Sequence, residues 1–278
     1  MKRSDRGFFL SALLSLALAL LMLYAPTGAA QQPTQNPVPH RYFVLDYMKV
    51  AAGKGNDYLR LEREVWKPFH AQRIKDKRLL GWELYEVRYT ADTHRDYDYV
   101  TVNVYENLAA TDDQTGMGEM FQRMHPGNDG ARLLAETGAA RQNVRSEVWV
   151  LLDQTTPPNA SAPPAKYFNV AFMRSKPSAD YVAVERALWK PIHQERVRSG
   201  ALNFWGLYEL VMPGGTSYPY NYATVNGVSS LSALENAYPD ELFRRVHPNI
   251  PLTDLGNRTV AARDLTRSEL WVLVDSTP

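Results

Sequence analysis

The chain has 278 residues, 45% of them apolar and 22% charged, with no cysteine and a net charge of +1. A length above the ~100–200 residues of one domain predicts two, with enough apolar residue for real cores. The missing cysteine excludes a disulfide scaffold, a thiolate nucleophile, a lipid-modified cysteine and a thiolate-bound metal. The balanced charge excludes a basic footprint for nucleic acid or anionic lipid.

Residues 1–30 read as a signal peptide. Lys2, Arg3 and Arg6 precede a charge-free apolar run from Phe8 to Tyr24, and the small residues Thr27, Gly28, Ala29 and Ala30 follow. Cleavage near Ala30–Gln31 removes three basic residues and Asp5, taking the net charge from +1 to −1. The rival is an uncleaved anchor, but a run of about 17 residues is at the lower limit for a membrane span and no basic stop-transfer cluster follows it. No second such run exists. The expectation is an exported soluble protein, periplasmic or secreted, without a membrane partner after cleavage. Residues 31–40 read as a disordered spacer.

The rest is a tandem repeat, 41–154 and 166–278, joined by a Pro/Ala-rich linker over 155–165. Asp57–Glu86 aligns without a gap on Asp180–Glu209, with fourteen identities in thirty positions. These include Trp66-Lys67-Pro68-x-His70-x-x-Arg73 against Trp189-Lys190-Pro191-x-His193-x-x-Arg196. Thr101-Val102-Asn103 matches Thr224-Val225-Asn226, and His125-Pro126 matches His247-Pro248. Arg145-Ser146-Glu147-x-Trp149 matches Arg267-Ser268-Glu269-x-Trp271. All six tryptophans fall into matched pairs.

In chain order, Tyr42–Val50 is β-rich, as is Tyr167–Arg174. Asp57–Lys77 has helical period, with a core stripe of Tyr58, Leu61, Val65 and Phe69. Asn56 or Asp57, and Ser178 in the second repeat, are candidate N-caps. Pro68 and Pro191 predict a kink or restart inside that helix. Trp82–Tyr89 and Tyr97–Glu106 alternate as a hairpin. Ala110–Met124 and Ala131–Ala140 are helical, and Arg145–Asp153 is the last strand. His125 and His247 sit where a helix ends before proline. The order βαββαβ predicts, in each repeat, an α+β ferredoxin-like unit, an antiparallel sheet with helices on one face. The bare sheet face of each must be covered, and the other repeat is the available cover.

Two ferredoxin-like units packed sheet to sheet resemble the dimeric α/β-barrel superfamily, fused into one chain. Within it the Trp-x-Pro-x-His helix and aromatic strands are similar to the NIPSNAP-like and antibiotic-biosynthesis-monooxygenase-like groups. The resemblance spans the mature chain and rests on element order and repeat length. It implies binding of small aromatic or polyketide-like molecules, in some members cofactor-independent oxygenation and in a few haem.

Beside its core stripe the first helix carries Glu62, Trp66, His70 and Arg73, repeated as Glu185, Trp189, His193 and Arg196. Glu, imidazole and guanidinium flanking an aromatic plate suit an acidic or aromatic ligand, with His70 and His193 as candidate proton-transfer groups. The alternative is a surface ion-pair network. The last strands add Arg145 and Glu147, Arg267 and Glu269, and the hairpins add Asn103 and Asn226. These either line a cavity with the helix residues or pair across the pseudo-twofold axis. His70, His125 and Glu147, with His193, His247 and Glu269, form a possible metal set, and His70 or His193 a haem ligand. No phosphate loop or nucleophile elbow is present. Three readings follow: a small-molecule-binding, oxygenase-like protein with a pocket in each repeat; a structural module of the cell envelope; and a metal- or haem-binding protein. The residues name no cofactor.

Overall fold

The computed structural model describes residues 40–90, 95–158, 164–177 and 180–277. The segment read as a signal peptide, most of the segment read as a spacer, the centre of the linker and Ser178 lie outside them. The first repeat runs β1 (Tyr42–Val50), α1 (Gly55–Leu61), a π-turn (Glu62–Trp66), α2 (Lys67–Lys75), β2 (Gly81–Tyr89), β3 (Tyr99–Tyr105), α3 (Met117–Met124), α4 (Asp129–Ala140) and β4 (Arg141–Thr155). The second repeats it as β5 (Tyr167–Ser175), α5 (Tyr181–Val184), a π-turn (Glu185–Trp189), α6 (Lys190–Arg198), β6 (Phe204–Met212), β7 (Tyr222–Val228), α7 (Asp240–Val246), α8 (Leu252–Ala262) and β8 (Arg263–Thr277). Among the described residues no helix is long and apolar enough to cross a membrane.

Each repeat forms the expected antiparallel sheet, in the order β4-β1-β3-β2 and β8-β5-β7-β6. The two sheets also join at their edges, β2 on β8 and β4 on β6, so all eight strands close into one barrel. The last strand of the first repeat is longer than its local pattern predicts, and its first residues, Arg141 to Asn143, pair with Val50 to Met48 of β1. The C-terminal end of β4 pairs with β6 of the other repeat, Thr155 opposite Trp205, and β8 does the same with β2.

Strand alternation then assigns every side chain to the barrel interior or to the helix-covered outside. On β3, Val100 and Val102 belong to the interior core, with Val104 packed against it; Thr101 and Asn103 face the helices. Outside, Tyr58, Leu61, Val65 and Phe69 pack on Trp82 and Leu84, as the helical stripe predicts.

The prolines restart the helix through a widened turn. Lys67 N–H donates to the Glu62 carbonyl and Lys190 N–H to the Glu185 carbonyl, five residues back, and Pro68 and Pro191 then fall in the first turn of α2 and α6, where a missing N–H costs least. Helix starts differ from expectation. α1 begins at Gly55 with no side-chain cap, and the second repeat is capped by Asp180, whose carboxylate accepts from Ala183 N–H at 2.9 Å.

One end of the barrel interior is polar. Glu147, fully buried, accepts from Tyr47 (2.7 Å) and Trp149 (3.0 Å) of its own repeat and from Tyr218 and Tyr220 of the other. Its own Arg145 lies 3.0 Å away, with the guanidinium over the Tyr47 ring. Glu269 is held likewise by Trp271 (2.8 Å), by Tyr97 (2.7 Å) and Thr90 (3.1 Å) of the first repeat, and by Arg267 (3.5 Å). The expected pairing of an Arg or Glu with its counterpart across the axis is corrected here. Among the described residues the pairs Arg145–Glu147 and Arg267–Glu269 each lie within one strand and tyrosines make the crossing, because a two-residue spacing already places Arg and Glu side by side on one face.

A buried carboxylate holding so many donors leaves them all unpaired when removed. Glu147→Ala is expected to lower unfolding free energy by at least about 3 kcal/mol and Tyr218→Phe, at the cluster's rim, by about 1 kcal/mol, read by chemical denaturation.

Candidate functional site

The closed barrel divides the sequence-derived candidates between two faces. Glu62, Trp66, His70, Arg73 and Asn103 converge outside, under the helices of the first repeat, around a cavity of about 650 Å³. Arg145, Glu147, Arg267 and Glu269 lie inside the barrel and face away from it. The expected convergence of Glu147 with Trp66, His70 and Asn103 is thus corrected: β4 presents odd-numbered residues inward and β3 presents its odd-numbered residues outward.

The polar stripe is not a surface network. Glu62 is 2% exposed and Arg73 7%, because the π-turn rotates the segment before Pro68 so that Glu62 and Trp66 face the sheet. Trp66 Nε1 donates to Thr137 Oγ1 on α4 (3.2 Å), tethering the indole at the cavity wall. His70 stacks on Trp82, ring centroids 5.5 Å apart and 13° from parallel. Arg73 donates to Tyr105 Oη (2.9 Å) and contacts His70 Nδ1 (3.2 Å). Asp46, Thr101, Tyr105, Thr111, Gln114, Gln122 and Arg141 add to the polar lining, between Phe69, Phe121 and Met117. Arg141 is among the residues that sequence reasoning missed, with Tyr105, Gln114 and Gln122; its signal was Arg263, at the offset of 122 shared by the two His-Pro pairs.

The electrostatics follow from burial. Desolvation raises the Glu62 carboxyl from 4.5 to about 7, against the opposing pull of Arg141. Desolvation, with Arg73 beside it, lowers His70 to about 3, so the imidazole is neutral at physiological pH. A neutral ring with a guanidinium at Nδ1 accepts there and keeps its proton on Nε2. That makes His70 a hydrogen-bond donor, and Glu62 the group poised to exchange a proton near neutrality. Several buried polar atoms here have no hydrogen-bond partner among the described residues: Asn103 Oδ1, Arg73 Nε and Arg141 Nε.

The histidine metal set does not form. Glu147 lies on the far side of the sheet from His70, and among the described residues no group of three or more acidic or histidine side chains is placed to hold a metal ion. A haem iron needs a lone pair on His70, and the tautomer imposed by Arg73 leaves Nε2 without one, so this residue does not fit a haem ligand. His125 and His247 terminate α3 and α7, and His247 Nε2 reaches the Leu188 carbonyl at 2.8 Å.

The second repeat keeps the residues and loses the opening. Tyr238 lies edge-on to Trp189 (5.8 Å) and His193 (5.9 Å), and Arg196 stacks on its ring at 4.6 Å. His193 and Arg196 are each 3% exposed. Aligned on the His-Pro pairs, the position of Tyr238 is occupied in the first repeat by Gly116, whose φ of +66° favours glycine. Trp189, His193 and Arg196 thus pack on a tyrosine where their counterparts Trp66, His70 and Arg73 line a cavity.

Burial gives Glu62 and Glu185 a pH signature. Between pH 4.5 and about 7 the folded state retains protons that the unfolded chain has released, so stability falls as pH rises through that window. Glu62→Gln removes one such contribution, worth about 3 kcal/mol when complete. The variant is expected to match the parent at pH 4 and to exceed it at pH 8, by denaturation at both values.

No family model matches the chain, and no curated protein matches it by sequence. Solved structures do. A candidate monooxygenase of Lactobacillus acidophilus is 13% identical, covering 86% of this chain and 96% of its own, with a TM-score of 0.50. Another, from Fusobacterium nucleatum, is 13% identical, covering 87% and 95%, with a TM-score of 0.51. At such identity the likeness is one of fold, and it agrees with the strand order: the chain has the dimeric α/β-barrel architecture, with both ferredoxin-like halves in one polypeptide.

Proposed function

We propose that the protein binds one small, partly aromatic, acidic molecule in the first-repeat cavity and moves a proton to or from it through Glu62. The observation that carries this reading is the set of buried, unpartnered atoms on Asn103, Arg73 and Arg141 around a single opening beside the Trp66 indole. Buried polar groups normally have partners, and a ligand with an oxyanion and a hydroxyl would supply them. Arg73 and Arg141 would hold the anion, His70 would donate from Nε2, and Glu62, near 7, would accept the proton released. A ring-stabilised anion so formed is a species that reacts with dioxygen without a cofactor, and the two fold relatives are candidate monooxygenases.

Salicylate, a ring with a carboxylate and a hydroxyl, tests the reading by calorimetry. One molecule per chain is expected, with affinity about tenfold weaker (~1.4 kcal/mol) in Arg73→Gln. Tyr238→Gly, opening the second cavity, should raise the stoichiometry to two. Unchanged affinity in Arg73→Gln overturns the site. Oxygen uptake with hydroxyaryl substrates, lost in Glu62→Gln, tests the reaction. Export belongs to the same proposal: the N-terminus of the protein recovered from outside the cytoplasm should begin near Gln31.

A further inference from the structure

A second cavity, of about 270 Å³, lies inside the barrel at the end away from Glu147 and Glu269. Trp149 and Trp271, which donate to those glutamates, also line it and separate the two regions. Its walls are aromatic, with edge-to-face pairs Phe43–Tyr208 (5.2 Å) and Tyr85–Phe168 (5.1 Å). Glu83 is the one carboxylate among its lining residues. Tyr85 donates to Glu83 Oε2 at 2.7 Å, and among the described residues no cation lies within ion-pair distance of it. Arg41, also lining the cavity, is exposed.

The two repeats differ sharply at this point. In the gap-free alignment Glu83 stands opposite Gly206, and Gly81 opposite Phe204. A Cβ at position 206 would lie 2.7 Å from Tyr208 Cε2 and 2.8 Å from Phe204 Cζ, so the second repeat fills with rings the space where the first projects a carboxylate. The fold does not need an acid here, since the matching position has no side chain at all. Glu83 is partly buried, and that desolvation pushes it above the ordinary carboxylate value; a desolvated carboxylate without a cation is destabilising. A cationic ligand would relieve that penalty.

We propose that this barrel cavity is a separate binding site for a protonated aryl-alkyl amine of one ring, with Glu83 accepting from the ammonium and the aromatic walls taking the ring. A cavity of ~150 Å³ accommodates benzene in other proteins, so the volume here suits one ring with a short chain. Aromatic faces favour a nearby ammonium as well as an apolar ring.

The probe is 2-phenylethylamine, titrated into the full mature chain by calorimetry, with ethylbenzene as its uncharged counterpart. One amine should bind per chain, at least about tenfold more weakly in Glu83→Gln, while the ethylbenzene-induced rise in Tm stays the same. Arg73→Gln, in the helix-side cavity, should leave amine affinity unchanged, which separates this site from the one under the helices. Val104→Phe should abolish both ligands; should that variant not fold, ethylbenzene should still displace the amine from the parent protein. Absence of amine binding, equal affinity in Glu83→Gln, or no competition by ethylbenzene overturns the proposal.

Discussion

A four-stranded sheet in the order β4-β1-β3-β2 has two unpaired edges and one apolar face without helices, and neither can be left to water. Joining β2 to β8 and β4 to β6 removes all four edges and both bare faces in one step. Every other feature depends on that closure. It defines an inside and an outside, and the two-residue period of each strand then sends neighbouring side chains to different compartments. Arg145 and Glu147 become interior residues held by tyrosines, while Asn103 becomes part of a site under the helices.

The closure also explains why buried charge is tolerated. Glu147 and Glu269 each have an arginine on the same strand and donors from both repeats, so the charges are compensated within a closed network. Glu62 and Glu83 are different. Each is a carboxylate at a cavity wall with too few partners, and burial raises both. Charges that the fold satisfies read as structure; charges left short of partners read as sites.

Duplication gave two equivalent halves, and a few substitutions made them unequal. Gly116 leaves the first helix-side cavity open where Tyr238 closes the second. Glu83 enters the barrel where Gly206 yields to Phe204 and Tyr208. Both differences put the open or charged variant in the first repeat. The second repeat packs Trp189, His193 and Arg196 on a tyrosine, so what the two repeats share is the frame of the site rather than its opening.

Periodicity and repetition in the sequence determined the βαββαβ order, the core stripe Tyr58–Leu61–Val65–Phe69, the helix restart at Pro68 and the polar stripe beside it. These are local properties, set by side-chain spacing along one element. The length of β4, the separation of Glu147 from His70, the burial that keeps His70 neutral and the packing of Tyr238 on the second repeat's stripe were decided by tertiary structure alone. Each depends on packing between separate elements, or on which face of a closed sheet a side chain meets. Strand alternation fixes that two residues share a face, but only barrel closure decides which of the two faces holds the site.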